Sequence, residues 1–136
     1  MANFTLSKLG ILILLFISTA GVTAADWTPL SSNSDGDDFL IDRSSIRSNG
    51  GILQAWTMVN LGTQKPDGTR SQKTAFLLNC HTWEWAVRSG VNYSAPDGQG
   101  QLLNSTTARP SEINYQPAIP DSVTDAILVF ACKDSK

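Results

Sequence analysis

The chain has 136 residues, of which 41% are hydrophobic, with ten Lys and Arg against twelve Asp and Glu. A formal charge of −2 and the lack of any basic block leave nucleic acid and anionic membranes without an electrostatic footprint. Once a leader is set aside, about 110 residues remain, enough for one modest core and not for two.

The leader is residues 1–25. One positive charge within Met1–Lys8 precedes the apolar run Leu9–Val22, and Val22-Thr23-Ala24-Ala25 places small residues where a signal peptidase needs them. The run is shorter than the roughly 20 residues of a membrane span, so cleavage after Ala24 or Ala25 is expected rather than retention as an anchor. No cysteine ends the run, so no lipid attachment is expected, and the mature domain, 26–136, is expected to be periplasmic or secreted. In that oxidising setting the two cysteines, Cys80 and Cys132, are expected to form one disulfide across 52 residues.

Trp27-Thr28-Pro29-Leu30 opens the domain, and the polar stretch Ser31–Asp38 reads as a loop. Phe39-Leu40-Ile41 is a short strand, Asp42–Ile46 a turn or single helical turn, and Asn49-Gly50-Gly51 a turn. Ile52–Asn60 is the clearest strand, with Leu53, Ala55 and Thr57 on one side and Gln54, Trp56 and Met58 on the other. Lys65-Pro66-Asp67-Gly68 closes a hairpin loop. Ser71–Cys80 returns as a strand, with Phe76, Leu78 and Cys80 sharing a face.

A tight turn near His81-Thr82 leads into a strand over Trp83–Tyr93, whose alternation puts Trp85, Val87, Val91 and Tyr93 together. Ala95–Gly100 is turn-rich, Gln101–Leu103 allows a short strand, and Asn104–Pro117 reads as polar, irregular chain. Ser122-Val123-Thr124-Asp125, preceded by Pro120, supplies a cap for a terminal helix bearing Val123, Ile127, Phe130 and Ala131. A buried strand over Ala126–Cys132 is the alternative, and Cys132 lies about 140–180° around an ideal helix from Val123 and Ile127. The expected fold is α+β: a single antiparallel sheet of about five to six strands, a C-terminal helix packed on one face, and one disulfide.

Candidate chemistry is sparse. His81 is the one histidine. With Cys80 engaged in a disulfide it cannot gather the three protein ligands zinc usually takes, and no Gly-x-Ser-x-Gly frame marks a nucleophile for it to activate. Asp35-Gly36-Asp37-Asp38 starts like a calcium loop, but the twelfth position holds Ile46 instead of an acid. Gly98-Gln99-Gly100 is a turn with no phosphate-binding helix start behind it. No metal or other cofactor is expected. Of four tryptophans, Trp56 and Trp85 are expected in the core, whereas Trp83, beside a turn, is the candidate partner-binding residue. Asn92-Tyr93-Ser94 and Asn104-Ser105-Thr106 have the form of glycosylation acceptors, meaningful only in a eukaryotic secretory route.

Several landmarks recur in a familiar order. They are Trp27, Phe39-Leu40-Ile41-Asp42, Ser45-Ile46, Trp56, Ser71-Gln72-Lys73 and Asn79-Cys80, then Tyr93-Ser94, Gly98-Gln99-Gly100, Pro120-Asp121-Ser122 and Cys132. Together, over about residues 27–132, the chain resembles the bacterial surface-adhesin protein E family. The resemblance implies an antiparallel sheet with a C-terminal helix, tied by a disulfide between a strand and that helix. It also implies adhesin-like binding, the family's namesake being a lipid-anchored outer-membrane adhesin for host matrix proteins. Asn79 departs from the aspartate often found before the first family cysteine. The expected function is that of a small exported, non-enzymatic domain that binds a protein, from the extracellular matrix or the cell envelope, as a monomer or weak dimer. The alternatives are a periplasmic inhibitor or accessory factor of a cell-wall enzyme, and a hydrolase using His81.

Overall fold

A strand with apolar residues at every second position must hide one side, and Ile52–Asn60 sets that side for the whole sheet. The computed structural model describes residues 24–133, so the leader up to residue 23 lies outside the described residues. Its strands are β1 (Trp27–Ser32), β2 (Asp38–Asp42), β3 (Arg47–Asn49), β4 (Ile52–Asn60), β5 (Ser71–Asn79), β6 (Glu84–Tyr93), β7 (Leu102–Thr107) and β8 (Gln116–Pro117). An α-helix, α1 (Val123–Cys132), follows them. The pairing is antiparallel throughout, in the order β1-β2-β4-β5-β6-β7. Two short strands raise the count to eight: β3 pairs with the start of β4 beyond β2, and β8 with the start of β6 beyond β7.

The helix lies across one face. Ile41, Leu53, Ala55 and Leu78 from the sheet meet Ile127, Leu128, Ala131 and Cys132 from α1 in a single buried cluster. Ser122 caps the helix, its Oγ accepting from the Asp125 N–H at 3.2 Å. The buried stripe is rotated from the expected one: it runs through Leu128 and Cys132, one turn apart, while Phe130 sits half-buried at its flank. That rotation brings Cys132 onto the sheet. It is bonded to Cys80, just past the end of β5, with Cα atoms 5.7 Å apart.

The other face is not left to solvent. Strand β6 carries one residue more than β5 at Arg88: Phe76 opposes Val87, but Ala75 opposes Ser89. The bulge flips every later side chain. Trp85 and Val87 stay on the helix side, with Trp85 edge-on to Phe76 at 5.7 Å between centroids. Val91 and Tyr93 pass to the far side, so the four residues expected to share a face are split. There Lys73 lies between two rings, its Nζ 5.6 Å from the centroid of Trp27 and 5.4 Å from that of Tyr93. The turn Pro96–Gly98 folds down onto the same side, where buried Ser71 donates to the Ala95 carbonyl at 2.6 Å and accepts from the Gly98 N–H at 2.9 Å. Trp56, expected in the core, is half-buried on this far face.

Two other expectations are corrected. Strand β7 runs on through Thr107, and β8 lies within the stretch Asn104–Pro117 read as irregular. Most of β7 is exposed, so it lacks an apolar alternation; its backbone pairing with β6 holds it as an edge. The loop between β1 and β2 is closed by the Asn33 side chain, which accepts from the Asp35 and Asp37 N–H groups, and it rests on Gly62. A Cβ at Gly62 would lie 2.8 Å from the Gly36 carbonyl carbon. Gly62→Ala is therefore expected to cost about 1–3 kcal/mol, read as a lowered urea midpoint; an unchanged midpoint would show that the loop simply shifts aside.

Candidate functional site

The turn between β5 and β6 builds the most distinctive surface. Asn79 Oδ1 accepts from the His81 N–H at 3.0 Å and from the Thr82 N–H at 3.1 Å. Both bonds need only a side-chain oxygen, which the Asn79 amide supplies. Thr82 Oγ1 donates to Glu84 Oε2 at 2.6 Å. Trp83 then takes φ +59°, a left-handed backbone that costs a bulky residue about 1–3 kcal/mol. Neighbouring chain holds it there: the Trp83 carbonyl accepts from the Ala118 N–H at 3.1 Å, and its indole Nε1 donates to Asp125 Oδ1 at 2.8 Å. The second oxygen of Asp125 accepts from the Asp121 N–H at 3.2 Å.

Trp83 is thus a fixed aromatic that remains 36% exposed. It lines an open groove of about 540 Å³ together with the two disulfide cysteines, Cys80 and Cys132. Leu53, Val129 and Gly51 supply apolar lining, while His81, Ser48 and Lys133 add polar groups. Val129 is itself 56% exposed, so the apolar surface continues up the helix. A rigid tryptophan beside exposed aliphatic surface, with cationic and hydroxyl groups at the rim, has the make-up of a protein-binding anchor.

The structure gathers Trp83, His81, Cys80 and Cys132 around this groove. His81 contributes its backbone N–H to the turn, and among the described residues its imidazole makes no hydrogen bond or ion pair. Asp35, Asp37 and Asp38 lie elsewhere, and two of the three carboxylates are engaged by the loop: Asp37 accepts from Asn33 and from the Gly62 N–H, and Asp38 from Ser32. No group of three or more potential ligands is positioned for a metal among the described residues. Asn92 and Asn104 oppose each other in register on β6 and β7. The tie from Trp83 to Asp125 had no local sequence signal, since the partners are 42 residues apart.

Two carboxyls outside the groove are held below their ordinary value. The Asn33 amide, followed by the Gly62 N–H, holds the Asp37 carboxyl below its ordinary value of 3.8. The Thr69 N–H, donating at 2.9 Å, does the same for Asp67. A carboxyl whose folded value is depressed stabilises the fold above about pH 3.8 and loses that contribution as pH falls through the folded value. Asp37→Asn should lower the thermal midpoint at neutral pH, and the gap from the native chain should close progressively below pH 3.8. A gap independent of pH would assign the effect to packing rather than charge.

The profile of the family described as surface-adhesin protein E matches residues 27–133. Among solved structures, crystal form II of Haemophilus influenzae protein E is 19% identical, with a TM-score of 0.59 over 81% of this chain and 89% of that one. Its selenomethionine form gives 17% identity and a TM-score of 0.60 over 82% and 89%. Protein E from non-typeable Haemophilus influenzae gives 20% and 0.56 over 83% and 78%. At these identities the likeness is one of fold. No curated protein matches the sequence.

Proposed function

This chain belongs to the surface-adhesin protein E family, and from that membership we propose that it is an exported, non-enzymatic domain, residues 26–136 after loss of the leader, that works by binding a protein. The match over residues 27–133 carries the reading. Among the described residues no helix is long and apolar enough to cross a membrane. The partner is a protein of the extracellular matrix or of the cell envelope, and Trp83 with the groove beside it is the anchor. The support for that placement is the fixed, exposed indole beside Val129 and Leu53.

The test uses the oxidised mature protein against immobilised vitronectin and laminin, and in pull-downs from an envelope extract. Trp83→Ala should weaken binding at least about tenfold, equivalent to about 1.4 kcal/mol. Leu102→Ala, on an exposed side chain of β7, should leave it unchanged. Near-UV circular dichroism checks that W83A keeps its fold. Retention by no partner above a scrambled control would count against binding as the function, while retention with W83A unaffected would move the interface elsewhere.

A further inference from the structure

Asp42 closes β2 with a carboxylate only 8% exposed. Its Oδ1 accepts from the Ser44 N–H at 3.0 Å, from the Ser44 hydroxyl at 2.6 Å and from the Asp26 N–H at 2.9 Å. All three donors are neutral groups in the intact chain. No cation pairs with it among the described residues, where the single salt bridge joins Arg109 and Glu112. Neutral donors serve this buried carboxylate, and a charged donor at the same distance makes a stronger bond.

The third donor sits at a telling place. Asp26 precedes β1, whose first pair is Trp27 with Asp42. Its position is fixed on both sides of its own α-carbon, because its carbonyl accepts from the Arg43 N–H at 2.9 Å. It also follows Ala24-Ala25, the small residues that end the leader. We infer that the leader is cut between Ala25 and Asp26, and that the α-ammonium this creates is the counter-charge of Asp42. A signal peptidase adds one water across the Ala25–Asp26 amide: the hydroxyl goes to the Ala25 acyl carbon, and the nitrogen leaves as the α-amine of Asp26. With an ordinary pKa of about 7.7–8.0 that amine is mostly protonated at neutral pH. A neutral amide donor thereby becomes a cation without any movement of the chain. Cleavage after Ala24 would instead place the charge on Ala25, one residue further out, and leave a neutral amide at Asp42. Leader removal then does more than release the protein: it clamps the first strand to the sheet. The Asp26–Asp42 pairing does not depend on what the domain binds.

Intact mass and N-terminal sequencing of the exported product should show a chain beginning at Asp26; a chain beginning at Ala25 overturns the inference. Three oxidised proteins then test the ion pair: one starting at Asp26, one starting at Ala25, and the Asp26 form with its terminus acetylated. The free Asp26 form should melt about 4 °C or more above the other two, and Asp42→Asn should erase the difference. Equal midpoints for the free and acetylated Asp26 forms overturn the pairing, and that comparison stands even if D42N does not fold.

Discussion

Replacing both cysteines with alanine lowers the stability of the domain by about 4 kcal/mol, the loop-closure value for the 52-residue separation of Cys80 and Cys132. The bridge matters here for a local reason as well. Helix α1 has ten residues, too few to persist alone in water, and it follows a long stretch of irregular chain and short pairings. Its hold on the sheet rests on the apolar stripe Ile127, Leu128 and Ala131 and on the sulfur link at its last turn. C80A/C132A should therefore show a lower urea midpoint, with the far-ultraviolet helical signal lost ahead of the sheet. Reducing the native protein should reproduce the shift. A midpoint indifferent to reductant would mean that the stripe alone keeps the helix docked. Because both cysteines line the groove beside Trp83, partner binding should fall with the bridge.

Leu128→Ala is expected to cost about 3–4 kcal/mol, the transfer and cavity cost of removing a fully enclosed leucine. Leu128 is 0% exposed, in one buried cluster with Leu53 and Ala55 of the sheet and Ala131 and Cys132 of its own helix. Its neighbour Val129 is 56% exposed, and Val129→Ala should stay within about 0.5 kcal/mol. Equilibrium denaturation of the two variants reads the orientation of the helix directly. A larger loss for V129A than for L128A would mean that the helix is turned the other way.

That pair of variants marks a boundary in what the chain reveals. In Ala126–Cys132 almost every residue is apolar, so periodicity could locate a helix but not its inward side. Packing chose Leu128 because the bond to Cys80 requires Cys132, one turn on, to face the sheet. The same ambiguity hid the bulge at Arg88. Alternation continues unbroken from Trp85 to Tyr93, since both faces of this sheet are covered and both accept apolar residues: one by α1, the other by the Pro96–Gly98 turn. Strand β7 escaped for the opposite reason. Asn104–Thr107 buries almost nothing, so it has no alternation to read.

Local chemistry alone determined the rest. The alternation of β4, the Lys65-Pro66-Asp67-Gly68 turn, the Ser122 cap and the two cysteines each act over a few residues or by simple count. They specify antiparallel hairpins, a terminal helix and one bridge. What only the tertiary structure decided lies between residues far apart in the chain: the Trp83 indole on Asp125, Lys73 between Trp27 and Tyr93, and the Asp26 nitrogen on Asp42. Hydrogen bonds and ring contacts of this kind leave no period in a sequence, because nothing local couples the partners until the sheet brings them together.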